Sequence, residues 1–171
     1  IYDSSKRHFN LFFDNAWNSL VEMDSYGHDV EAGWLLCEAA RVLEDRQLMD
    51  RANRLALDVT DACLAEGLSD KGYMMYEKKG GRTTGHASWW GQIETMIACV
   101  NAWQISGNDV YLQSADTVWT FVKDCMIDRE YGEWYSDCFD GEPKKDTPKV
   151  SMWRCPYHTV RLGVEIHNRL K

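Results

Sequence analysis

The stretch 30–43, VEAGWLLCEAARVL, and the stretch 48–66, LMDRANRLALDVTDACLAE, decide how this chain folds. In both stretches apolar residues recur at spacings of three and four, which is the period of an α-helix with one buried face. The second stretch ends at Gly67, as helices commonly do at a glycine. Because only a short turn joins the two stretches, we expect two helices folded against each other as a hairpin.

The same unit recurs further along the chain. Helical periodicity returns in 90–105 and 110–126, and a last helix is predicted over 157–170. Aromatic-rich pieces at 72–77 and 131–135 follow the second helix of each unit and are predicted to be strands or hairpin arms. The order of inner helix, turn, outer helix and extended loop therefore repeats at roughly 60–65 residues, which is typical of an array of helical hairpins.

Three clusters of polar and aromatic residues stand at or near the starts of the inner helices. They are GHDVEAGW at 27–34, WWGQIE at 89–94 and WRCPYH at 153–158. Histidine transfers protons near neutral pH, a carboxylate can orient it, and tryptophan offers a flat face to a sugar ring. We therefore expect the three clusters to line one pocket that performs carbohydrate chemistry.

Composition excludes several classes of function. The chain has 171 residues, 44% of them hydrophobic and 27% charged, with a net charge of −8, as in a globular domain with a real core. The acidic balance and the lack of a basic run argue against a nucleic-acid partner, and no apolar run approaches the roughly 18 residues of a membrane span. Six cysteines without close pairs resemble neither a zinc site nor a disulfide scaffold, so a reducing, cytoplasmic compartment is expected.

Six groups of residues, in order along the chain, resemble one known family. They are Phe12-Phe13-Asp14 with Trp17, Ser25-Tyr26-Gly27-His28-Asp29-Val30-Glu31-Ala32 with Trp34, Trp89-Trp90 with Gln92 and Glu94, Asn101-Ala102-Trp103-Gln104, Tyr131-Gly132-Glu133-Trp134, and Trp153-Arg154-Cys155-Pro156-Tyr157-His158 with Arg161. Together they resemble the C-terminal half of the N-acylglucosamine 2-epimerase and cellobiose 2-epimerase family. The segments 101–104 and 155–158 are more similar to the cellobiose branch, whereas Gly33 is more similar to the N-acylglucosamine branch.

The resemblance implies an all-α (α/α)6 barrel with short β-hairpin loops, of which residues 1–171 would form the C-terminal half. Two and a half hairpin units are present, whereas a toroid of such repeats closes with about six. Half a toroid would leave an apolar flank exposed, so a missing N-terminal half or a second copy of the chain is expected to cover the open edges. In the family the N-terminal half supplies an arginine and another histidine to the pocket.

The resemblance also implies a reaction and a set of site residues. Family members invert C2 of a reducing sugar such as cellobiose or an N-acylglucosamine, through the open-chain aldehyde and a cis-enediolate, and use neither cofactor nor metal. His28 and His158 match the catalytic pair; the substrate-binding positions are Glu31, Trp34, Trp90, Glu94 and Trp153, with Trp153 as a stacking platform for a second sugar. Arg161 is not an obvious replacement for the family's arginine.

Helical spacing agrees with parts of this assignment. Glu31 lies three residues after His28, and Glu94 lies four after Trp90, so that each pair shares a helix face. Three other readings of the residues stay open at this point. The chain could be a glycoside hydrolase on the same toroid that uses Glu31 and Glu94, a metal-dependent sugar isomerase with His28, Glu31 and His158 as ligands, or a fragment that binds saccharide without catalysis.

Overall fold

The computed structural model describes all residues, 1–171, and five α-helices dominate it. The helices are α1 Tyr26–Val42, α2 Arg46–Gly67, α3 Trp89–Ser106, α4 Val110–Phe121 and α5 Tyr157–Arg169. A π-helical turn, Val122–Met126, continues α4. Every predicted helix is therefore present, with bounds that differ from the prediction by a few residues at each end.

The helices pack in two layers, as the hairpin repeat predicts. α3 lies between α1 and α5, while α2 packs on α1 and α4 packs on α3. The central position of α3 is reflected in its burial, since every residue from 91 to 102 is buried. Since α1, α3 and α5 form the inner layer, the three polar clusters meet at the ends where these helices begin.

Local signals set the helix boundaries. The Asp45 side chain accepts hydrogen bonds from the backbone N–H groups of Gln47 and Leu48 at the start of α2. Gly107 ends α3 in the left-handed region, with φ of 70°, where a residue without Cβ is not strained. These caps explain why the turns between paired helices are short.

Eight short strands form three antiparallel sheets with the orders β1-β2, β3-β4-β5 and β6-β7-β8. The strands are β1 Tyr2–Asp3, β2 His8–Phe9, β3 Met23–Asp24, β4 Lys78–Lys79, β5 Arg82–Thr83, β6 His86–Ser88, β7 Asp137–Phe139 and β8 Glu142–Pro143. The predicted extended pieces were misplaced, because 72–77 and 131–135 contain only one bridge residue each, Met74 and Trp134. The side chain of Gln92 binds both the backbone N–H and the backbone C=O of Met74, each at 2.8 Å, so these two groups pair with a side chain rather than with a strand.

Two faces of the inner layer are apolar and exposed. Leu35 and Leu36 lie on the open side of α1, beside a cavity of about 850 Å³ that Phe9 and Phe13 also line. α5 buries none of its residues completely. These faces are the flank that the sequence predicts to be covered by further chain, and that cover stays a prediction.

Two further findings bear on the composition. None of the helices is both long enough and apolar enough to cross a bilayer. All six cysteines are free thiols, and burial raises the pKa of Cys99 to about 12, so that this thiol stays protonated.

Candidate active site

The starts of α1, α3 and α5 bring histidine, glutamate and tryptophan side chains together. His28 and Glu31 lie in the first turns of α1, Glu94 lies in the second turn of α3, and His158 is the second residue of α5. The cluster therefore assembles residues 130 positions apart, as the contact between Glu31 and Arg161 shows. The three polar clusters therefore meet at one place, and the expectation that they line a single pocket stays a prediction.

Glu94 is the centre of this cluster. Its side chain is 0% exposed, and its Oε2 accepts a hydrogen bond from Trp34 Nε1 at 2.9 Å. Its Oε1 accepts from Arg161 Nη2 at 2.6 Å and lies 2.7 Å from His158 Nδ1. Three donors therefore surround a buried carboxylate, which compensates the cost of removing its charge from water.

The contact with Glu94 determines the tautomer of His158. A carboxylate only accepts hydrogen bonds, so we assign a proton to His158 Nδ1, which donates a hydrogen bond to Glu94 at 2.7 Å; the longer contact of 3.2 Å from Arg161 Nη2 to the same nitrogen is the weaker one. Nε2 of the neutral ring is then left as the proton acceptor. The His158 side chain is 18% exposed, and its ring lies edge-on to Trp89 with 6.2 Å between centroids.

Arg161 joins the two carboxylates of the site. Its Nη2 donates to Glu31 and to Glu94, and its guanidinium stacks on the ring of Trp34 at 5.2 Å. Burial lowers the pKa of Arg161, but the hydrogen bonds to Glu94 and Glu31 outweigh burial and raise it above its usual value. The resemblance to the family includes Arg161 but assigns it no role in the cluster. The sequence feature that places Arg161 there is its spacing of three residues from His158, which puts both side chains on one face of α5.

Trp90 connects the two histidines. The imidazole of His28 packs on the Trp90 ring with 4.7 Å between centroids, and the imidazole of His158 lies 5.9 Å from the same ring. His28 is exposed, and its Nδ1 lies 2.8 Å from the hydroxyl of Ser25. The close approach needs a glycine at 27, because a Cβ there would stand 2.6 Å from atoms of the Trp90 ring.

The remaining two predicted tryptophans differ in their surroundings. Trp34 is 2% exposed and covered by Arg161, so it reaches the pocket through the hydrogen bond that it donates to Glu94. Trp153 is 83% exposed, in the loop before α5. An open indole face is what a stacking platform requires, and that role of Trp153 stays a prediction.

The cluster also contains a set of side chains of the types that bind metal ions. Glu31, Glu94 and His158 each offer one ligand atom, and these atoms lie within 4.8 Å of one another. The guanidinium of Arg161 already supplies the positive charge that this set attracts, because it donates to both carboxylates. His28 is not a member of the set, so the metal ligands considered from the sequence do not come together as a group.

Comparison with known proteins places the chain in a family. The family model described as N-acylglucosamine 2-epimerase (GlcNAc 2-epimerase) matches residues 1–161. The chain belongs to the N-acylglucosamine 2-epimerase family. Cellobiose 2-epimerase from Bacteroides fragilis is 40% identical to it over 171 residues, covering 97% of this chain and 43% of that protein.

Solved structures agree with this membership in the N-acylglucosamine 2-epimerase family. A sugar epimerase from a ruminal bacterium is 35% identical and superimposes with a TM-score of 0.94, over 98% of this chain and 43% of that one. A family 76 glycoside hydrolase from a bovine Bacteroides thetaiotaomicron strain is 13% identical, with a TM-score of 0.65 over 86% of this chain and 31% of that one, which shows a shared fold alone. The chain spans less than half the length of the relatives it matches.

Proposed function

We propose that this chain is the C-terminal half of an (α/α)6-barrel sugar 2-epimerase, which inverts C2 of a reducing-end aldose of the cellobiose or N-acylglucosamine type. The observation that carries the proposal is the pair of imidazoles, His28 and His158, on the ring of Trp90. The family membership and the similarity to cellobiose 2-epimerase support a sugar as the substrate.

The chemistry needs two proton-transfer groups and no redox step. Opening of the sugar ring gives an aldehyde, which acidifies the proton on C2. One neutral imidazole takes that proton, and the electron pair forms a cis-enediolate with the carbonyl. The other, protonated imidazole returns a proton to the opposite face of C2. An imidazole can both take and return a proton, which suits a step that must run in both directions.

Glu94 and Arg161 act through His158 rather than on the sugar. Glu94 accepts the Nδ1 proton of His158 and so directs Nε2 away from the buried carboxylate. Arg161 compensates the charge of Glu94 and of Glu31, and holds α5 to α1 and α3. We assign the direct contact with the sugar hydroxyls to Glu31, whose side chain is 20% exposed, and the stacking contact to Trp153.

Hydrolysis by the two glutamates has less support. A glycosidase needs two carboxyl groups that flank the bond to be cleaved, at roughly 5–9.5 Å from each other. Glu31 and Glu94 are bound to the same nitrogen of Arg161, and Glu94 is 0% exposed, which leaves no room for a glycosidic oxygen between them. The histidines would also have no role in that reaction.

The cover of the open faces belongs to the same proposal. The chain corresponds to 43% of the Bacteroides fragilis enzyme, so more than half of that enzyme's sequence lies outside the match. A segment of that length is enough to cover the exposed sides of α1 and α5. We propose that an N-terminal half occupies these faces and completes the pocket. The arginine of that N-terminal half would then stabilise the enediolate, since Arg161 already donates hydrogen bonds to the carboxylates of Glu31 and Glu94.

The test is proton NMR of cellobiose, and separately of N-acetylglucosamine, incubated in D2O with the longest form of the protein. The proposal predicts the manno epimer with deuterium at C2, because the imidazoles exchange their protons with solvent. Release of glucose from cellobiose would replace the proposal with hydrolysis. No conversion of either sugar, with saccharide binding retained, would identify a binding protein.

Variants separate the roles of the histidines. His28→Asn and His158→Asn should each lower the rate of epimerisation by about 100-fold or more. The matched control is His167→Asn, since His167 is an exposed histidine on the same helix as His158. Equal losses in all three variants would contradict the assignment.

A further inference from the structure

The side chain of Ser25 does not do what its place at the start of α1 predicts. Ser25 is the N-cap residue of this helix, with an extended backbone, and its C=O accepts a hydrogen bond from the N–H of Asp29 at 3.0 Å. A serine in this position normally also accepts, through its hydroxyl, a hydrogen bond from a backbone N–H of the first turn. Ser25 makes no such bond, so its hydroxyl leaves the helix start uncapped.

The hydroxyl of Ser25 contacts the imidazole of His28 instead. Ser25 is 2% exposed, and its Oγ lies 2.8 Å from His28 Nδ1. The N-cap residue of α3 behaves differently, since Ser88 Oγ accepts a hydrogen bond from the N–H of Gly91 at 3.4 Å. A local preference that is given up at one helix start indicates that the side chain has another role there.

His28 needs such a contact, because its side chain is exposed. Its ring packs on Trp90 with 4.7 Å between centroids, which restrains the plane of the ring. A half-turn of the ring in that plane exchanges Nδ1 with Cδ2 and Nε2 with Cε1, and packing on an indole does not distinguish the two orientations. The contact with Ser25 selects the orientation in which Nδ1 faces the buried oxygen.

The proposed proton transfer also requires one tautomer of His28. Nε2 takes a proton only when the neutral ring carries its own proton on Nδ1. The hydrogen bonds of the ring decide which nitrogen keeps that proton. An oxygen that accepts at Nδ1 holds the proton there in the neutral ring and in the protonated ring. Glu94 provides this oxygen for His158, and Ser25 is in the same position for His28.

The start of α1 is fixed on two sides, so the hydroxyl is a firm point of attachment. Ser25 directly follows β3, whose residue Asp24 pairs with Lys78 of β4. The buried carboxylate of Asp29 accepts a hydrogen bond from the backbone N–H of Phe9 at 2.8 Å and lies 2.7 Å from His8 Nδ1. The first turn of α1 is therefore attached to β2 as well as to β3.

We propose that Ser25 is a positioning residue of the candidate active site. Its hydroxyl accepts a hydrogen bond from His28 Nδ1, selects the orientation of the ring and leaves Nε2 to exchange the proton with C2 of the sugar. Because Ser25 is buried, it acts through His28 rather than on the sugar. This role rests on the proposed epimerase function.

The kinetic test uses the longest form of the protein with cellobiose. Ser25→Ala should lower kcat by about tenfold or more and leave KM within about twofold, because the variant misplaces the proton-transfer group without removing a contact to the sugar. Ser25→Thr keeps the hydroxyl and should retain kcat within about threefold. The control is Ser106→Ala, at an exposed serine at the other end of α3, which should epimerise as the unchanged protein does.

A spectroscopic test needs no substrate. Long-range proton–nitrogen correlation NMR of the protein labelled with ¹⁵N-histidine, at alkaline pH where imidazoles are neutral, reports which nitrogen carries the proton. His28→Asn identifies the signals of His28 by their loss. We expect the Nδ1–H tautomer in the unchanged protein and in Ser25→Thr, and a shift toward Nε2–H in Ser25→Ala.

The two tests distinguish this role from the proposed function. If no sugar is epimerised but the tautomer of His28 depends on Ser25, the proposed function fails and the contact stands. Unchanged kcat in Ser25→Ala, an unchanged tautomer in Ser25→Ala, or the Nε2–H tautomer in the unchanged protein would each overturn the role of Ser25.

Discussion

Replacing Glu94 by glutamine is the sharpest perturbation of the candidate active site. The substitution keeps the size of the side chain and removes its charge. The carboxylate accepts from Trp34 on one oxygen and from Arg161 and His158 on the other. A glutamine has only one acceptor oxygen, so in either orientation its NH2 group faces a donor.

The expected loss of stability follows from the missing acceptor oxygen of glutamine. With the amide oxygen toward Arg161, the NH2 group faces the N–H of Trp34, and a hydrogen bond to a charged group worth about 1.5–3 kcal/mol is lost. The buried ion pair with Arg161 is broken as well, which costs about 3–5 kcal/mol in a buried setting. These two costs concern the same side chain and do not add in full. Because Arg161 also keeps its contact with Glu31, we expect a total decrease of about 3 kcal/mol in the free energy of unfolding.

Urea unfolding followed by tryptophan fluorescence measures the change. The matched control is Glu130→Gln, at an exposed carboxylate in the loop after the π turn, which should shift the free energy of unfolding by less than about 0.5 kcal/mol. A loss below about 1 kcal/mol for Glu94→Gln, with an unchanged slope against urea, would refute the account of Glu94 as the centre of the cluster.

Two further predictions concern other parts of the fold. Gly27→Ala places a Cβ at 2.6 Å from the Trp90 ring and should destabilise the protein by about 1–3 kcal/mol in thermal unfolding. The control is Gly163→Ala, where a Cβ meets nothing within 4 Å, and it should stabilise the protein slightly. Equal effects of the two substitutions would contradict the close approach of Gly27 to Trp90. The hydrogen bond from Lys149 lowers the pKa of Asp128 from 3.8 to about 2. The ionised Asp128 therefore stabilises the fold above pH 3.8, and this stabilisation is lost as the pH falls toward about 2. Between these pH values the free energy of unfolding should depend less steeply on pH in Asp128→Asn than in the unchanged protein. Parallel pH profiles of the variant and the unchanged protein would speak against the contact between Lys149 and Asp128.

Much of the fold could be predicted because its signals are local. The periodicity of 30–43 and 48–66 predicts α1 and α2, and the same period predicts the other three helices. The strands lie outside the predicted segments, and two of their ladders, β3 with β4 and β6 with β7, join residues that are more than 50 positions apart, which local sequence does not indicate. The amide of Gln92, on α3, binds both backbone groups of Met74, and nothing in the segment 72–77 itself indicates this contact.

The candidate site divides in the same way. The sequence by itself determined which residue types stand at the helix starts and which of them share a helix face, since helical spacing is a local property: His28 with Glu31, and Trp90 with Glu94. Only the tertiary structure decided that Arg161 joins Glu31 to Glu94 and that Trp34 is covered rather than open. The reason is that burial and the pairing of charges depend on how α1, α3 and α5 pack together, and helical periodicity predicts that a face is buried without naming what it is buried against.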